Sequence, residues 1–240
     1  MTGALAQSLT QHRIERDRSM PARSLAILHA EIAGLAASGV ADHALRTGSP
    51  APDFTLPDVD GHPVHLADLL AAGPVVLTFY RGGWSPYCSA ELRAWQAKLA
   101  EVTVLGASLV AVSPQTQAES RRTVETLGLT FPVLSDAGSG VSRVYRLAHT
   151  LPEGMRDIYA ERGVDVPAAT GDPSYTLPIP ATYLIDTDAT IAWSFVNADH
   201  TMRAEPDDAV AALAALIRKR TPHTRPRIQL FHPSRVAKAS

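Results

Sequence analysis

The residues with the clearest chemical potential surround Cys88, the single cysteine of this 240-residue chain. Residues 79–92 read as the end of an apolar strand, a glycine turn and the start of a helix. Ser85 suits a helix N-cap and Pro86 suits the first helical position, which places Cys88 in the first helical turn. Free backbone N–H groups and the helix dipole stabilise a thiolate there. Because the thiolate is the nucleophilic form of cysteine, the pattern predicts a reactive thiol.

Two neighbouring side chains are candidates for supporting the thiol. Arg81 lies in the loop before the helix and is expected to supply positive charge. The hydroxyl of Ser85 is expected to donate a hydrogen bond to the sulfur. The alternative for Cys88 is a buried structural cysteine, which is the commoner state of a free cysteine.

The substrate pocket is expected to form from residues that flank the thiol. Trp84 and Tyr87 are predicted to line its walls, together with Pro86. Core packing is the alternative for Trp84. No phosphate loop, dinucleotide fingerprint or hydrolase elbow is present in the sequence, so we expect no cofactor.

The elements around this run alternate between strands and helices, which predicts an α/β fold with layers on both faces of the sheet. The apolar stretch 74–80 has strand length and should be covered on both faces. Residues 148–177 are less regular and read as an insertion with one helix near 153–161. The other predicted strands are 107–112, 131–134, 182–185 and 191–196, and the other predicted helices are 86–101, 116–127, 141–147 and 206–220.

The chain divides into three predicted parts. Residues 1–45 form an N-terminal helical extension that packs on the main domain or makes a dimer contact, with no visible chemistry of its own. Residues 46–217 form the main domain. Residues 218–240 carry seven basic residues and no acidic one, which indicates a flexible tail, with a docking arm for an acidic partner as the alternative.

Composition excludes several classes of protein. A formal net charge of -2 argues against a nucleic-acid binder. The sequence has no signal-peptide pattern and no apolar run of membrane-spanning length, so no membrane association is expected. A single cysteine excludes an intramolecular disulfide and fits a reducing, cytoplasmic location.

The nine histidines are scattered along the chain. His62 and His65 are three residues apart, a spacing that places them on opposite faces of a strand. With no second cysteine and no carboxylate cluster beside them, we expect no zinc site. His200 is interpreted as a surface histidine, with a place in the active site as the alternative.

The strongest match to a known family is carried by the run Phe79-Tyr-Arg-Gly-Gly-Trp-Ser-Pro-Tyr-Cys88. It resembles the peroxiredoxin-like branch of the alkyl hydroperoxide reductase and thiol-specific antioxidant superfamily, which has Phe-Tyr-Arg-Gly-Gly-Trp-Cys-Pro-Tyr-Cys. Ser85 falls on the superfamily's Thr/Ser position, Cys88 on its peroxidatic cysteine and Glu91 on its trailing glutamate. Similar stretches follow in order over residues 25–217, at 51–56, 112–116, 131–136, 177–182 and 203–206.

The resemblance implies a thioredoxin-like fold, a central mixed sheet flanked by helices, and a redox-active thiol that reduces hydroperoxides through a sulfenic acid. Thioredoxin-like proteins carry a cis-proline facing the thiol, which implies a cis Ile179–Pro180 bond and places Pro180 at the pocket. An edge-strand proline is the alternative. Ordinary peroxiredoxins have an arginine at this point, so its electrostatic role would pass to Arg81 or to Arg203.

The same resemblance implies the partners. The substrate is hydrogen peroxide or an organic hydroperoxide, and an external thiol, thioredoxin-like or small, must regenerate Cys88 because Ser85 replaces the branch's first cysteine. A homodimer is expected from family habit. The alternatives are a specialised thiol or redox reaction, or a non-catalytic binding role on the same scaffold, since a fold alone does not fix a function.

Overall fold

The computed structural model describes residues 3–220 as ten α-helices, nine β-strands and one short 3-10 helix. The N-terminal helices fill the extension, as predicted. The helices are α1 (Ala4–Ser19), α2 (Ala22–Ala37), α3 (Val40–His43), α4 (Leu66–Ala72), α5 (Pro86–Val104), α6 (Gln117–Leu127), α7 (Gly140–Val144), α8 (Glu153–Glu161), α9 (Val166–Thr170) and α10 (Pro206–Arg220). The strands are β1 (Thr55–Pro57), β2 (Pro63–His65), β3 (Val75–Phe79), β4 (Ser108–Ser113), β5 (Val133–Ser135), β6 (Ala148–Thr150), β7 (Thr176–Pro178), β8 (Ala181–Ile185) and β9 (Ile191–Val196).

The central sheet has five strands in the order β5-β4-β3-β8-β9. β3, β4 and β5 run parallel, whereas β8 and β9 are antiparallel, so the sheet is mixed as predicted. Every residue of β3 is buried, because the strand lies in the middle of the sheet with layers on both faces. The loop that leads to Cys88 therefore starts from a fully buried central strand.

Alternate residues of β3 contribute to two different hydrophobic clusters. Val75, Leu77 and Phe79 belong to a cluster that includes Tyr145 and Tyr183. Val76 belongs to a second cluster that holds Cys88, Trp95 of α5 and Leu213 of α10. This division follows from the two-residue period of a strand, which sends successive side chains to opposite faces. Cys88 thus lies on the side of the sheet that α5 and α10 cover.

The insertion contains more structure than the sequence indicated. Helix α8 has the predicted bounds, but α9 and a small antiparallel ladder between β6 and β7 were not predicted. Leu28 of α2 joins Met155 and Ile158 of α8 in one buried cluster. The insertion is therefore held against the N-terminal extension.

Helix α1 packs on α5. Leu5 and Leu9 are buried in a cluster with Tyr87, next to the half-buried Ala90 and Ala94. The extension thus covers the N-terminal half of the helix that carries Cys88, which is the packing role predicted for it.

One detail differs from the sequence predictions. The Ile179–Pro180 bond is trans, and no cis peptide bond occurs in residues 3–220. Even before proline the trans form of a peptide bond is the more stable one. Here the chain passes directly from β7 into β8, and the Ile179 N–H donates a hydrogen bond to the Leu147 carbonyl at 2.9 Å. Helix α10 has the predicted bounds, 206–220, and so includes the first three residues of the predicted basic tail, whose remaining residues lie outside the described part of the chain.

Within residues 3–220, no helix combines the length and apolar composition needed to cross a bilayer.

Candidate active site

Cys88 lies in the first turn of α5 and is fully buried. Pro86 occupies the first turn as predicted, and Ser85 is the N-cap. The Ser85 hydroxyl oxygen accepts a hydrogen bond from the Cys88 backbone N–H at 3.5 Å. The prediction that this hydroxyl donates to the sulfur is thus replaced by a cap contact, because an N-cap oxygen turns towards the free N–H groups of the first turn. Ser85 positions the thiol through the backbone.

Arg203 is the cation that contacts the sulfur. Its Nη2 lies 3.3 Å from Cys88 Sγ, and its Nε lies 2.6 Å from Glu91 Oε2. The third nitrogen, Nη1, donates to the carbonyl of His200. Glu91 also accepts a hydrogen bond from the Thr78 hydroxyl of β3 at 3.2 Å. The guanidinium is therefore fixed on three sides and directed at the sulfur.

The charges of this group reinforce one another. Burial tends to lower the pKa of Arg203, but Glu91 and Cys88 outweigh this effect and raise it, so the guanidinium stays charged. Burial raises the pKa of Glu91, while the charge of Arg203 opposes that shift. The structure therefore places a charged guanidinium in direct contact with the buried sulfur.

Arg81, the other candidate arginine, has different partners. Its Nη2 lies 3.4 Å from Glu31 Oε1 and 3.2 Å from His149 Nε2, and its Nη1 lies 3.3 Å from the Tyr159 hydroxyl. His200 Nδ1 lies 3.7 Å from the second oxygen of Glu31. We call Glu31, Arg81, His149 and His200 the Glu31 cluster. It joins α2 and the insertion to the loop that leads to Cys88.

The pKa values of the Glu31 cluster show how its charge is arranged. Burial alone would raise the pKa of Glu31, but contacts with His149 and Arg81 outweigh it, and the net pKa is lowered. Burial lowers the pKa of His149, and the charge of Arg81 adds to this effect against the opposing influence of Glu31. Burial, Arg81 and Arg203 hold the pKa of His200 well below 6.5. The cluster is thus one carboxylate, one guanidinium and two neutral imidazoles at neutral pH.

Sequence reasoning missed three members of this cluster, because Glu31 and His149 were not singled out and His200 was misplaced. His200 is buried, with its ring 6.2 Å from that of Tyr87, so the interpretation as a surface histidine is wrong. Glu31 was not singled out, although it continues the buried positions Ser24 and Leu28 of α2 at helical spacing. A carboxylate on the apolar stripe of a helix is the signal that would have found it.

A cavity of about 400 Å³ lies over the first turn of α5, and we call it the α5 cavity. Trp84, Ser85, Pro86 and Tyr87 line it, as do side chains of α1, α2 and α8. Trp84 also packs against the α2–α8 cluster, so both sequence interpretations of this residue apply. Pro180 is buried and does not line the cavity.

One further set of potential metal ligands lies in the turn between β1 and β2, so the interpretation that no carboxylate cluster lies beside His62 is wrong. Single ligand atoms of Asp58, Asp60 and His62 lie within 4.8 Å of one another. One oxygen of Asp58 accepts the backbone N–H groups of Asp60 and His62, at 2.8 and 2.9 Å. These bonds hold the turn in shape.

Comparison with known proteins gives a consistent result. The AhpC/TSA family matches residues 47–194. A putative peroxiredoxin of Mycobacterium tuberculosis is 30% identical over 172 residues, which cover 72% of this chain and 98% of that protein. The chloroplastic peroxiredoxin Q of Triticum aestivum is 29% identical over 148 residues, covering 60% of this chain and 68% of the relative. The crystal structure of peroxidoxin BcpB from M. tuberculosis is similar with a TM-score of 0.57 and 27% identity, over 72% of this chain and 98% of the other.

Proposed function

The chain belongs to the AhpC/TSA family and is a thiol peroxidase, and we propose that Cys88 is the nucleophile that attacks the peroxide, with Arg203 as its partner cation. The observation that carries this assignment is the 3.3 Å contact between Arg203 Nη2 and Cys88 Sγ at the start of α5. Cys88 is also the only thiol that this sequence offers.

The reaction follows from the chemistry of the thiolate. Cys88 Sγ donates an electron pair to the terminal oxygen of the hydroperoxide, an S–O bond forms and the O–O bond breaks. The leaving oxygen takes up a proton and departs as an alcohol, or as water when the substrate is hydrogen peroxide. Arg203 stabilises the thiolate before attack and the negative charge that develops on the oxygens during it.

Regeneration requires a thiol from outside the chain. The sulfenic acid at Cys88 accepts a first thiol, releasing water and forming a mixed disulfide, and a second thiol then frees Cys88. The products are a reduced Cys88 and an external disulfide.

Glu91, Ser85 and Arg81 act indirectly in this proposal. Glu91 holds Arg203 in place at 2.6 Å, and Ser85 caps the helix that presents the thiol. Arg81 adds positive charge to the buried surroundings of Cys88 without a direct hydrogen bond to it. Homodimer formation and a cytoplasmic location stay predictions.

The test is the reaction of the reduced protein with hydrogen peroxide, with sulfenic acid at Cys88 followed by mass spectrometry. We expect a rate constant at least about a hundredfold above that of free cysteine, the order of effect that one preorganised charge partner contributes. The matched control is Cys88→Ser, which should consume no peroxide. A wild-type rate equal to that of free cysteine would refute the assignment of Cys88.

A further inference from the structure

The segment that carries Arg203 has no regular secondary structure of its own. Residues 197–205 lie between β9 and α10, and we call them the Arg203 loop. Most of its residues are nevertheless buried, with Thr201 1% and Glu205 6% exposed. Loops usually run over the surface, so a buried loop needs partners elsewhere in the chain for its polar groups.

The position of the guanidinium depends directly on the path of this loop. Arg203 Nη1 donates hydrogen bonds to the carbonyls of His200 and Met202, two residues of the loop itself. Nη2 of the same guanidinium lies 3.3 Å from Cys88 Sγ. A change in the backbone path at residues 200–202 would therefore shift the guanidinium relative to the sulfur.

Helix α1 contacts the loop at two places, one before its arginine and one after it. In the first turn of the helix, the Ala6 N–H donates a hydrogen bond to Glu205 Oε1 at 2.6 Å. Further along the helix, Arg13 Nη1 lies 3.5 Å from Thr201 Oγ1 and 3.4 Å from Met202 Sδ. The N-terminal extension therefore holds the loop that holds the guanidinium.

The contact at Glu205 supplies a cap that α1 lacks in its own sequence. The N-cap residue, Gly3, has no side chain that could cap the helix, and the first turn contains no acidic residue. The free N–H groups and the dipole at a helix start favour an acceptor oxygen with negative charge. Glu205 provides both, from a position 199 residues after Ala6.

The lack of a side chain at Gly3 makes room for this carboxylate. A Cβ at that position would lie 2.2 Å from Glu205 Cδ and 2.3 Å from Glu205 Oε2. The φ angle of Gly3 is -69°, a value that any residue adopts, so the backbone conformation does not require glycine there. Space for the Glu205 carboxylate is what favours glycine.

We propose that α1 is a positioning element of the peroxidase site, in which Arg13 and Glu205 are positioning residues that fix the Arg203 loop and so hold the guanidinium against Cys88. The proposal rests on the proposed function, because it explains what holds the cation that this function uses. The match to the AhpC/TSA family covers residues 47–194, so α1 and the Arg203 loop both lie outside it. Two segments beyond the matched range thus act on the site together.

The experiment is a double-mutant cycle on the rate at which hydrogen peroxide oxidises Cys88. Gly3→Ala displaces the Glu205 carboxylate without changing any charge, and it is made in the wild-type chain and in Arg203→Gln. In the wild-type background we expect the rate to fall about tenfold, within the loss of about a hundredfold that a misplaced group can cause. In Arg203→Gln the same change should have almost no effect, because α1 acts through the guanidinium.

The matched control is Gly34→Ala. Gly34 lies at an exposed position of α2, and a Cβ there would have no neighbour within 4 Å, so the rate should stay the same in both backgrounds. Glu205→Ala removes the contact from the loop side and should lower the rate as Gly3→Ala does. Glu205→Gln keeps an acceptor oxygen for the Ala6 N–H and should recover most of the rate.

Two outcomes would overturn the proposal. The first is an unchanged rate in either Gly3→Ala or Glu205→Ala. The second is an equal fall in the rate when Gly3→Ala is made in the wild type and in Arg203→Gln, which would indicate a general structural effect. Failure of the proposed function is separate, because it would appear as a wild-type rate no faster than that of free cysteine.

A spectroscopic measurement tests the position of the guanidinium directly. The Arg203 Nε–H group contacts the buried Glu91 at 2.6 Å, so in the wild-type protein it should give a distinct NMR signal that exchanges slowly with solvent. Gly3→Ala and Arg13→Gln should shift this signal and speed its exchange. Arg18→Gln, at an exposed position of the same helix, should leave it unchanged. A signal in Gly3→Ala and Arg13→Gln identical to that of the wild type would contradict the proposal, whatever the rates show.

Discussion

Two buried arginine–glutamate pairs lie near Cys88, and they differ in what they touch. Arg203 and Glu91 are 2.6 Å apart, and Arg203 reaches the sulfur. Arg81 and Glu31 are 3.4 Å apart, and their other contacts are to histidines and a tyrosine. The two pairs are thus alike in residue type and in burial, but only the Arg203–Glu91 pair contacts the thiol directly.

The origin of each glutamate explains the difference. Glu91 lies three residues after Cys88 on α5, so helix geometry places both on one side and brings any partner of Glu91 close to the sulfur. Glu31 comes from the N-terminal extension, and its pair ties α2 to the loop before α5. In the function that we propose, the first pair prepares the thiol for reaction and the second secures the scaffold around it.

The largest effect is expected from Arg203→Gln. Without the guanidinium, the thiolate and the developing oxyanion lose their charge partner, so the rate of oxidation by hydrogen peroxide should fall on the order of 10²- to 10³-fold. The measurement is stopped-flow oxidation, expressed per folded molecule. Arg203→Lys should recover part of the rate, because it keeps the charge but cannot contact Glu91 and the sulfur through a fork.

Arg81→Gln is the matched variant for this comparison. It removes an equally buried arginine that has no hydrogen bond to the sulfur. We expect a much smaller loss of rate than for Arg203→Gln. Equal losses in the two variants would mean that general positive potential, and not the contact of Arg203, activates Cys88.

Glu31→Gln should act chiefly on stability. It leaves Arg81 buried without a carboxylate, and breaking a buried ion pair costs about 3 kcal/mol. Urea denaturation at pH 7 would show the decrease in the free energy of unfolding. The control is Asp42→Asn. Asp42 is an exposed acidic residue of the same extension, so this substitution should change the free energy of unfolding little.

A loss of peroxide rate in Glu31→Gln as large as that in Arg203→Gln, at a temperature where both stay folded, would contradict the separation of roles. It would show that the second pair also prepares the thiol.

The sequence predicted the parts of this site that depend on local signals. The capped start of α5 follows from Ser85 and Pro86, and the buried strand β3 follows from an unbroken apolar run. The choice between Arg81 and Arg203 did not follow, since the partner of Cys88 lies 115 residues further along the chain and only tertiary packing brings it near. His200 was misplaced for the same reason, because the residues that surround it, Tyr87 and Glu31 among them, are distant in the sequence.

The two neutral histidines of the Glu31 cluster predict how stability responds to pH. Their pKa values are lowered in the folded state, so below about pH 6.5 the unfolded chain takes up protons that the native protein does not. The free energy of unfolding should therefore fall as the pH drops from 7 to 5.5, by at most about 1 kcal/mol for each histidine and more for His200 than for His149. Glu31, with a lowered pKa, adds its own loss only below about pH 4.5, where its unfolded form becomes protonated.

His200→Gln tests this contribution against the wild type. A glutamine does not titrate. Between pH 7 and 5.5 the free energy of unfolding of the variant should therefore fall by less than that of the wild-type protein, and the difference is the contribution of His200. His29→Gln, at an exposed position of α2, is the matched control and should leave the pH dependence close to that of the wild type. A pH dependence that is the same in His200→Gln as in the wild type would mean that His200 accepts a proton in the folded state as readily as in the unfolded chain, which would contradict its lowered pKa.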